Sequence, residues 1–453
     1  MKNCSVRDFG AVGNGVTKDT AAIQAAIDDC GKADGGRVTL ENGTYLCGRI
    51  DLRSGVELHI EADAVLLGSV DGYDFPDIES DFWRTEYAPR FNKRAMIYAE
   101  NCKGIAITGH GRINCQGDTY MEHIPGTEAF MDTGETGNPQ VQDYAIHWPY
   151  RRKAHPTDSP DGMVHYDYVP FPLDPFAVSL SPGRVVMFIG CTDVFVEDVT
   201  LENAPAGWSY WMCDCENVHF REARVLASVL FPNNDGIHIN CCRNVTISDC
   251  NITCGDDGIV VRAYSMPLKK HTVCEKVTVT NCNITSHSGG IPIGWYGDGV
   301  IRNCTFSNLT MTDTCVGIDI RLPRIPVVNR GSDQGDEDSL YENLSFCNIT
   351  MDRVFLEPIY IGIGDNSPCA AIRNLYFDQI HAFAAHMPSF TGRADTPIEN
   401  IYITNSQFTQ IDRLTIPDEK NGPQETREES LVPHFEHVKN LCLNGVVFNS
   451  LND

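Results

Sequence analysis

Short runs in which apolar and polar residues alternate recur along the chain, each opened by a polar pair holding Asn, Asp or Gly and then an aliphatic residue. Such rungs begin at Lys103-Gly104-Ile105, Thr192-Asp193-Val194, Glu216-Asn217-Val218, Arg243-Asn244-Val245, Glu275-Lys276-Val277, Glu342-Asn343-Leu344, Arg373-Asn374-Leu375, Glu399-Asn400-Ile401 and Lys439-Asn440-Leu441. From Asp193 the consecutive spacings are 24, 27 and 32, and later 31 and 26. A period of two within each run marks strands, and no helical period lies between them. A repeat of that length built from short strands predicts an all-β chain wound as a right-handed parallel β-helix; a propeller blade would need a more regular repeat of about 40–50 residues.

The N-terminal stretch departs from this pattern. Asp19 or Thr17 is placed to cap a helix whose apolar face is Ile23, Ala26 and Ile27. A solenoid must cover the open apolar end of its first coil, so a short N-terminal capping helix is expected there. Residues 1–453 are therefore expected to form one β-helix domain. One long non-repetitive segment interrupts it, at about 116–183, and carries His147, Trp148, Arg151, Arg152, His155, His165, Tyr166 and Tyr168. A long insertion of this composition is expected to fold over one wall and shape a binding site. A second, polar insertion at about 325–339 reads as an exposed loop.

Composition narrows the function classes. The formal net charge of −26 argues against nucleic acid or an acidic membrane surface as a partner. No run of about 18 apolar residues is present, so no membrane span is expected. The first residues lack the apolar core of a secretory signal, and the 19 cysteines fall within apolar strand patterns. Both features fit a cytoplasmic protein with reduced, buried thiols; if the sequence begins after a cleaved signal, a secreted protein is expected instead. The Asn-x-Ser/Thr triplets, such as Asn244-Val245-Thr246 and Asn283-Ile284-Thr285, then read as turn or ladder asparagines.

The candidate chemistry lies in Asn233–Tyr264. Asp235 sits in Asn233-Asn234-Asp235-Gly236, and Asp256 and Asp257 sit in Gly255-Asp256-Asp257-Gly258. Asp235 and Asp256 are 21 positions apart, so a coil of 21 residues would stack them about 4.8 Å apart. Gly255 and Gly258 would permit a bend or bulge that turns both following carboxylates outward. Converging carboxylates serve glycosidic bond hydrolysis, and three of them repel, so one keeps its proton and can act as an acid. Sugar recognition asks for aromatic faces and hydrogen-bonding groups. Trp295 and Tyr296, following Gly294, fall on the coil after Asp256 and Asp257 near the site, and Trp295, in a glycine-rich turn, is expected to be exposed. Trp208 and Trp211 fit core packing as well as sugar stacking. Arg262 and Arg321 can bind a carboxylate bidentately. No metal-ligand pattern is present and no cofactor is implied.

These residues resemble glycoside hydrolase family 28, the polygalacturonase family. The resemblance runs from Asp8-Phe9-Gly10 to Ile320-Arg321 and includes Ile105–Gly117 and Arg184–Pro205. The family's N-T-D-G is matched by Asn233-Asn234-Asp235-Gly236, and its G-D-D by Gly255-Asp256-Asp257. It implies an inverting hydrolase in which Asp256 protonates the leaving oxygen while Asp235 and Asp257 activate water. An inverting pair stands about 6.5–9.5 Å apart to admit that water. Two recognition motifs differ. The family's G-H-G falls on Ser288-Gly289-Gly290, with His287 two positions out of register; a similar S-G-G resembles rhamnogalacturonan hydrolases of the family, although those carry Asp-Glu where this chain has Asp256-Asp257. The family's R-I-K falls on Asp319-Ile320-Arg321. An aspartate at 319 would repel a uronate carboxylate. The expected activity is exo-cleavage of pectin-derived or related plant oligosaccharides. A Ca²⁺-dependent β-helix polysaccharide lyase and a non-catalytic carbohydrate-binding β-helix are the alternatives.

Overall fold

The computed structural model describes residues 2–85, 93–123, 150–152, 182–205, 207–295, 298–322, 338–411 and 432–451. Most of the insertion at 116–183, most of the loop at 325–339, and Tyr296 lie outside the described residues. The chain winds as a right-handed parallel β-helix. One face is an 11-stranded parallel sheet, and a 23-stranded sheet forms the rest of the wall. The long strands Val300–Thr312, Ser339–Val354 and Cys369–Ala384 belong to the larger sheet.

The rung motif has a local cause. Asp193, Asn217, Asn244, Lys276, Asn343, Asn374, Asn400 and Asn440 all take positive φ, between 56° and 59°, at the corner that opens each strand. Asparagine and aspartate tolerate this left-handed conformation better than branched residues. The asparagines then stack: Asn217 Nδ2 donates to Asp193 Oδ1 at 2.9 Å, Asn244 to Asn217 at 3.2 Å and Asn374 to Asn343 at 3.0 Å. Asn283 likewise donates to Asn251 at 2.8 Å. One rung escaped the motif. Asn303, with φ 55°, stands in the same ladder between Lys276 and Asn343, but Cys304 fills its aliphatic slot.

Inside the coil, alternate side chains stack in columns. Phe306, Phe346 and Phe377 lie parallel with centroids 4.9 Å apart at each step. Each buried ring contributes about 1.5–3 kcal/mol by leaving water, and each stacked pair about 0.5–1.5 kcal/mol more. Sixteen of the nineteen cysteines are buried in these columns and corners. The helix Thr20–Lys32 covers the N-terminal end, with Ile23, Ala26, Ile27 and Cys30 fully buried. Asp19 is its N-cap residue but makes no side-chain cap. Its carboxylate instead accepts from Val12 N at 2.7 Å and Gly13 N at 3.0 Å, so it fixes the preceding turn.

Candidate active site

The 11-stranded face runs through Ala95–Glu100, Arg184–Ile189, Trp208–Cys213, Ile237–Asn240, Ile259–Arg262, Gly289–Ile293, Val316–Leu322 and Ile359–Ile363. The register along it places every candidate residue. Ile237 pairs with Ile259, so this coil holds 22 residues, one more than the spacing of Asp235 and Asp256. Asp235 therefore stands opposite Asp257, whose carbonyl accepts Gly236 N at 2.8 Å. Asp256 falls over Asn234. The expected stacking of Asp235 on Asp256 is thus corrected by one residue.

Asn234 is what makes that offset work. It is fully buried, and its Oδ1 accepts from Gly255 N at 2.7 Å and Asp256 N at 3.1 Å. Its Nδ2 donates to Ser228 O at 2.7 Å. One amide thus ties the two acidic clusters together. Residues 255–258 form the corner between the strands Asn251–Cys254 and Ile259–Arg262, not a bulge within a strand. Gly236 and Gly258 open adjacent strands so closely that a Cβ at Gly236 would lie 2.4 Å from Gly258 O. Glycine is required there for the coils to approach.

The three carboxylates differ in their surroundings. Asp256 Oδ2 accepts from Asn233 N at 3.0 Å and Asn233 Nδ2 at 3.2 Å, and its Oδ1 from Asp257 N at 3.0 Å. Burial still raises its pKa, against these donors. Asp257 Oδ1 accepts from Ser288 Oγ at 2.7 Å and Gly289 N at 3.1 Å. Burial and the neighbouring Asp256 push its pKa up to about 7. Asp235 is 3% exposed, and its Oδ1 has no hydrogen-bond partner among the described residues. Burial, then Asp256 and Asp257, push it well above the usual carboxylate range, while Arg184 opposes them. The site cannot hold three full negative charges at once. In the free site the donors favour Asp256 as the anion, and Asp235 is the group most driven to keep a proton.

The recognition residues are placed less simply. The family resemblance puts Gly289 where a histidine is expected, and Gly289 does stand over Asp257, through the pairing of Val261 with Ile293. The lost side chain is replaced by its own N–H and by Ser288 Oγ, both on Asp257. His287 is half-buried, with its ring edge-on to Phe355 at 6.0 Å and its N–H on Cys254 O at 3.4 Å; burial lowers its pKa. Arg262 was expected to be available to a substrate carboxylate. It is instead engaged twice by the fully buried Asp298, Nε to Oδ2 at 2.7 Å and Nη2 to Oδ1 at 2.8 Å. Asp319 lies on the line Pro292, Asp319, Tyr360. Its expected role is to repel a uronate carboxylate. It also accepts Arg321 Nε at 3.1 Å, and the Arg321 guanidinium stands 4.3 Å from the Tyr360 ring centroid. Arg321 thus sits between an acid and an aromatic face. Trp295 is half-buried rather than exposed, and its carbonyl accepts the Tyr341 hydroxyl at 3.2 Å.

Several residues of the site were not singled out from the sequence. Asn234 and Ser288 lie inside the motifs Asn233-Asn234-Asp235-Gly236 and Ser288-Gly289-Gly290, beside the residues whose chemistry is evident from type alone. Asp298 lay in the turn after Trp295. Tyr360 and His238 carry no local signal and are found only through register. Near the carboxylates, Met121, Tyr150, Leu230 and Phe231 pack together, with the Tyr150 and Phe231 rings 5.3 Å apart. Tyr150–Arg152 pairs antiparallel with Met121–His123 at the base of the long insertion. That base therefore rests on the loop leading into Asp235. On the coils before Asp235 the wall is covered: Trp83 packs on Trp211 at 6.5 Å and donates from Nε1 to the Tyr98 hydroxyl at 3.0 Å.

Comparison with known proteins agrees with the β-helix fold. A sequence model described as Rhamnogalacturonase A/epimerase, pectate lyase-like, matches residues 3–59. A probable polygalacturonase of Vitis vinifera is 27% identical over 282 residues, covering 59% of this chain and 47% of that protein. An exo-poly-alpha-D-galacturonosidase of Dickeya chrysanthemi is 25% identical over 264 residues, 57% of this chain and 41% of that protein. The chain thus spans less than half the length of these relatives. Among solved structures, an exopolygalacturonase from Thermotoga maritima superposes with a TM-score of 0.65 at 18% identity, covering 98% of this chain and 92% of the other. The Yersinia enterocolitica family 28 exopolygalacturonase gives 0.62 at 19% identity, covering 99% and 78%. Both show the same fold. The Glycosyl hydrolases family 28 model matches residues 180–410, more than half of the 453-residue chain and all of the carboxylate-bearing coils, so the chain belongs to that family.

Proposed function

We propose that this protein hydrolyses a glycosidic bond in a pectin-derived oligosaccharide, with inversion, removing sugar units from a chain end. The observation that carries the reading is the carboxylate triad on two adjacent coils, with unequal donors and too little solvent to hold three charges. In this reading Asp256 protonates the leaving oxygen, and Asp235 and Asp257 hold and deprotonate the attacking water. Asn233 holds Asp256, and Ser288 with the Gly289 N–H holds Asp257. The acid role asks the triad's shared proton to sit on Asp256 when the glycosidic oxygen arrives, against the pull of its three donors.

The recognition side supports an acidic sugar held weakly. Arg321 supplies the positive charge and Tyr360 the stacking face, while Asp319 offsets part of that charge. Exo attack is supported by the apolar cover of Trp83 over Tyr98 and Trp211 on the coils before the triad, where an extended chain would otherwise run. The relatives named exopolygalacturonase or exo-poly-alpha-D-galacturonosidase point the same way. The test is digestion of oligogalacturonides, rhamnogalacturonan fragments and rhamnosides with product analysis. Release of single units from one end supports the reading. A spread of mid-length products refutes exo attack, and unsaturated products absorbing in the ultraviolet refute hydrolysis.

A further inference from the structure

One line of positions on the catalytic wall carries a buried cation as well as the carboxylates. Arg184 pairs with Trp208, and the registers of the next coils place Asp235 and then Asp257 on the same line. Arg184 is fully buried. Its guanidinium lies 3.2 Å from the Trp208 ring centroid and 5.3 Å from that of Trp211, and it donates to Gly183 O. A buried guanidinium needs compensation, which two indole faces supply in part. On its other side Trp208 meets His238, with ring centroids 3.7 Å apart, and His238 Nε2 stands 4.0 Å from Asp235 Oδ2. The order along the wall is therefore cation, indole, carboxylate, carboxylate.

We propose that Arg184, seated on Trp208, is a positioning residue that lets Asp235 give up its proton and act on water. The proposal rests on the functional reading above for its catalytic meaning. Its physical basis is the balance of charges that face Asp235. From the next coil Asp256 and Asp257 oppose its ionisation, and from its own strand His238 could favour it only if protonated. Burial, Arg262 and Arg184 keep His238 neutral, so it brings no charge. The buried thiol of Cys254 is held protonated by its own burial and by the three carboxylates. Among the described residues, Arg184 is the cation that pulls Asp235 toward its anion. Trp208 seats that charge two coils from Asp235, about 10 Å along the wall.

The experiment compares Arg184→Met and Arg184→Lys with the wild type. The readouts are thermal unfolding, the pH dependence of kcat/KM, and the titration of the Asp235 carboxyl by ¹³C NMR of protein labelled at aspartate Cγ. Asp235→Asn assigns the resonance. At about 10 Å and an effective dielectric of about 20, losing the charge should raise the Asp235 midpoint by on the order of one unit. The acid limb of kcat/KM should move up with it, and Arg184→Lys should restore both. An Asp235 midpoint unchanged in folded Arg184→Met, or equally shifted in Arg184→Lys, overturns the proposal. If Arg184→Met does not fold, Trp208→Leu, which removes the seat but leaves the charge, should shift the midpoint the same way by less. No shift or a downward shift in Trp208→Leu overturns it too. If the wild type hydrolyses none of the sugars, the functional reading fails, while the NMR titration still decides what Arg184 does to Asp235.

Discussion

Replacing Asn234 by alanine should separate the active loop from the coil that supports it. The side chain is fully buried and makes three hydrogen bonds, two to the N–H groups of Gly255 and Asp256 and one to Ser228 O. Each such bond contributes about 1 kcal/mol net, but a buried N–H left without a partner costs about 1–3 kcal/mol. Partial relaxation at a corner lets one of the two N–H groups find another partner. The variant should then lose about 2–4 kcal/mol. The loss of activity should be larger than that of a merely destabilised protein, because Asp256 N is one of the freed groups. A displacement near 1 Å at a reacting group costs about 10²-fold in rate. The assay is urea unfolding followed by tryptophan fluorescence, with kcat measured at a temperature where the variant is fully folded. Asn234→Asp is the companion variant. It keeps the shape and the acceptor but adds a fourth carboxylate and loses the donor to Ser228. It should fold more stably at low pH than at neutral pH. If Asn234→Ala keeps its stability within about 0.5 kcal/mol and its kcat within twofold, the clamp does not hold the site.

Three further outcomes follow from named contacts. Asp298→Ala leaves the half-buried Arg262 guanidinium without its bidentate partner and should cost about 2–4 kcal/mol, read by denaturant unfolding. Asp257 titrates at about 7 in the fold against an ordinary value of 3.8, so the folded state binds its proton more tightly than the unfolded chain does. That group therefore removes stability as pH rises from about 4 to about 7, and Asp257→Asn should flatten the fall in melting temperature over that window relative to wild type. Asp319→Asn leaves Arg321 with less compensation beside Tyr360 and should lower KM for uronate-terminated substrates by up to about tenfold, with little change for neutral ones.

The solenoid was readable from the sequence because its cause is local. Each corner needs a residue that accepts positive φ, and each strand shows a period of two, so Asn217, Asn244, Asn343 and Asn374 mark the turns before any packing is known. The rung at Asn303 was missed because cysteine stands in for the aliphatic residue. The candidate aspartates were readable because two glycine-flanked clusters sit about one coil apart, although the coil's true length moves the partner of Asp235 from Asp256 to Asp257. Residues whose role depends on non-local register were not readable. Arg184 lies 51 positions before Asp235, and Tyr360 lies 41 positions after Asp319, because the coils differ in length. Arg262 was misjudged for a related reason. The partner that occupies it, Asp298, lies 36 positions away and meets it only because the chain turns back at Gly294. A charged residue in a sequence shows what it can bind, not what already binds it.

The triad's role is tested most directly by proton NMR of the sugar released in the first minutes from an oligogalacturonide, with wild-type protein and with Asp256→Asn. The account predicts a first-formed anomer of inverted configuration that then mutarotates, and a loss of several orders of magnitude in kcat for Asp256→Asn with the fold intact. A first-formed anomer of retained configuration, or near-wild-type turnover by Asp256→Asn, would contradict it.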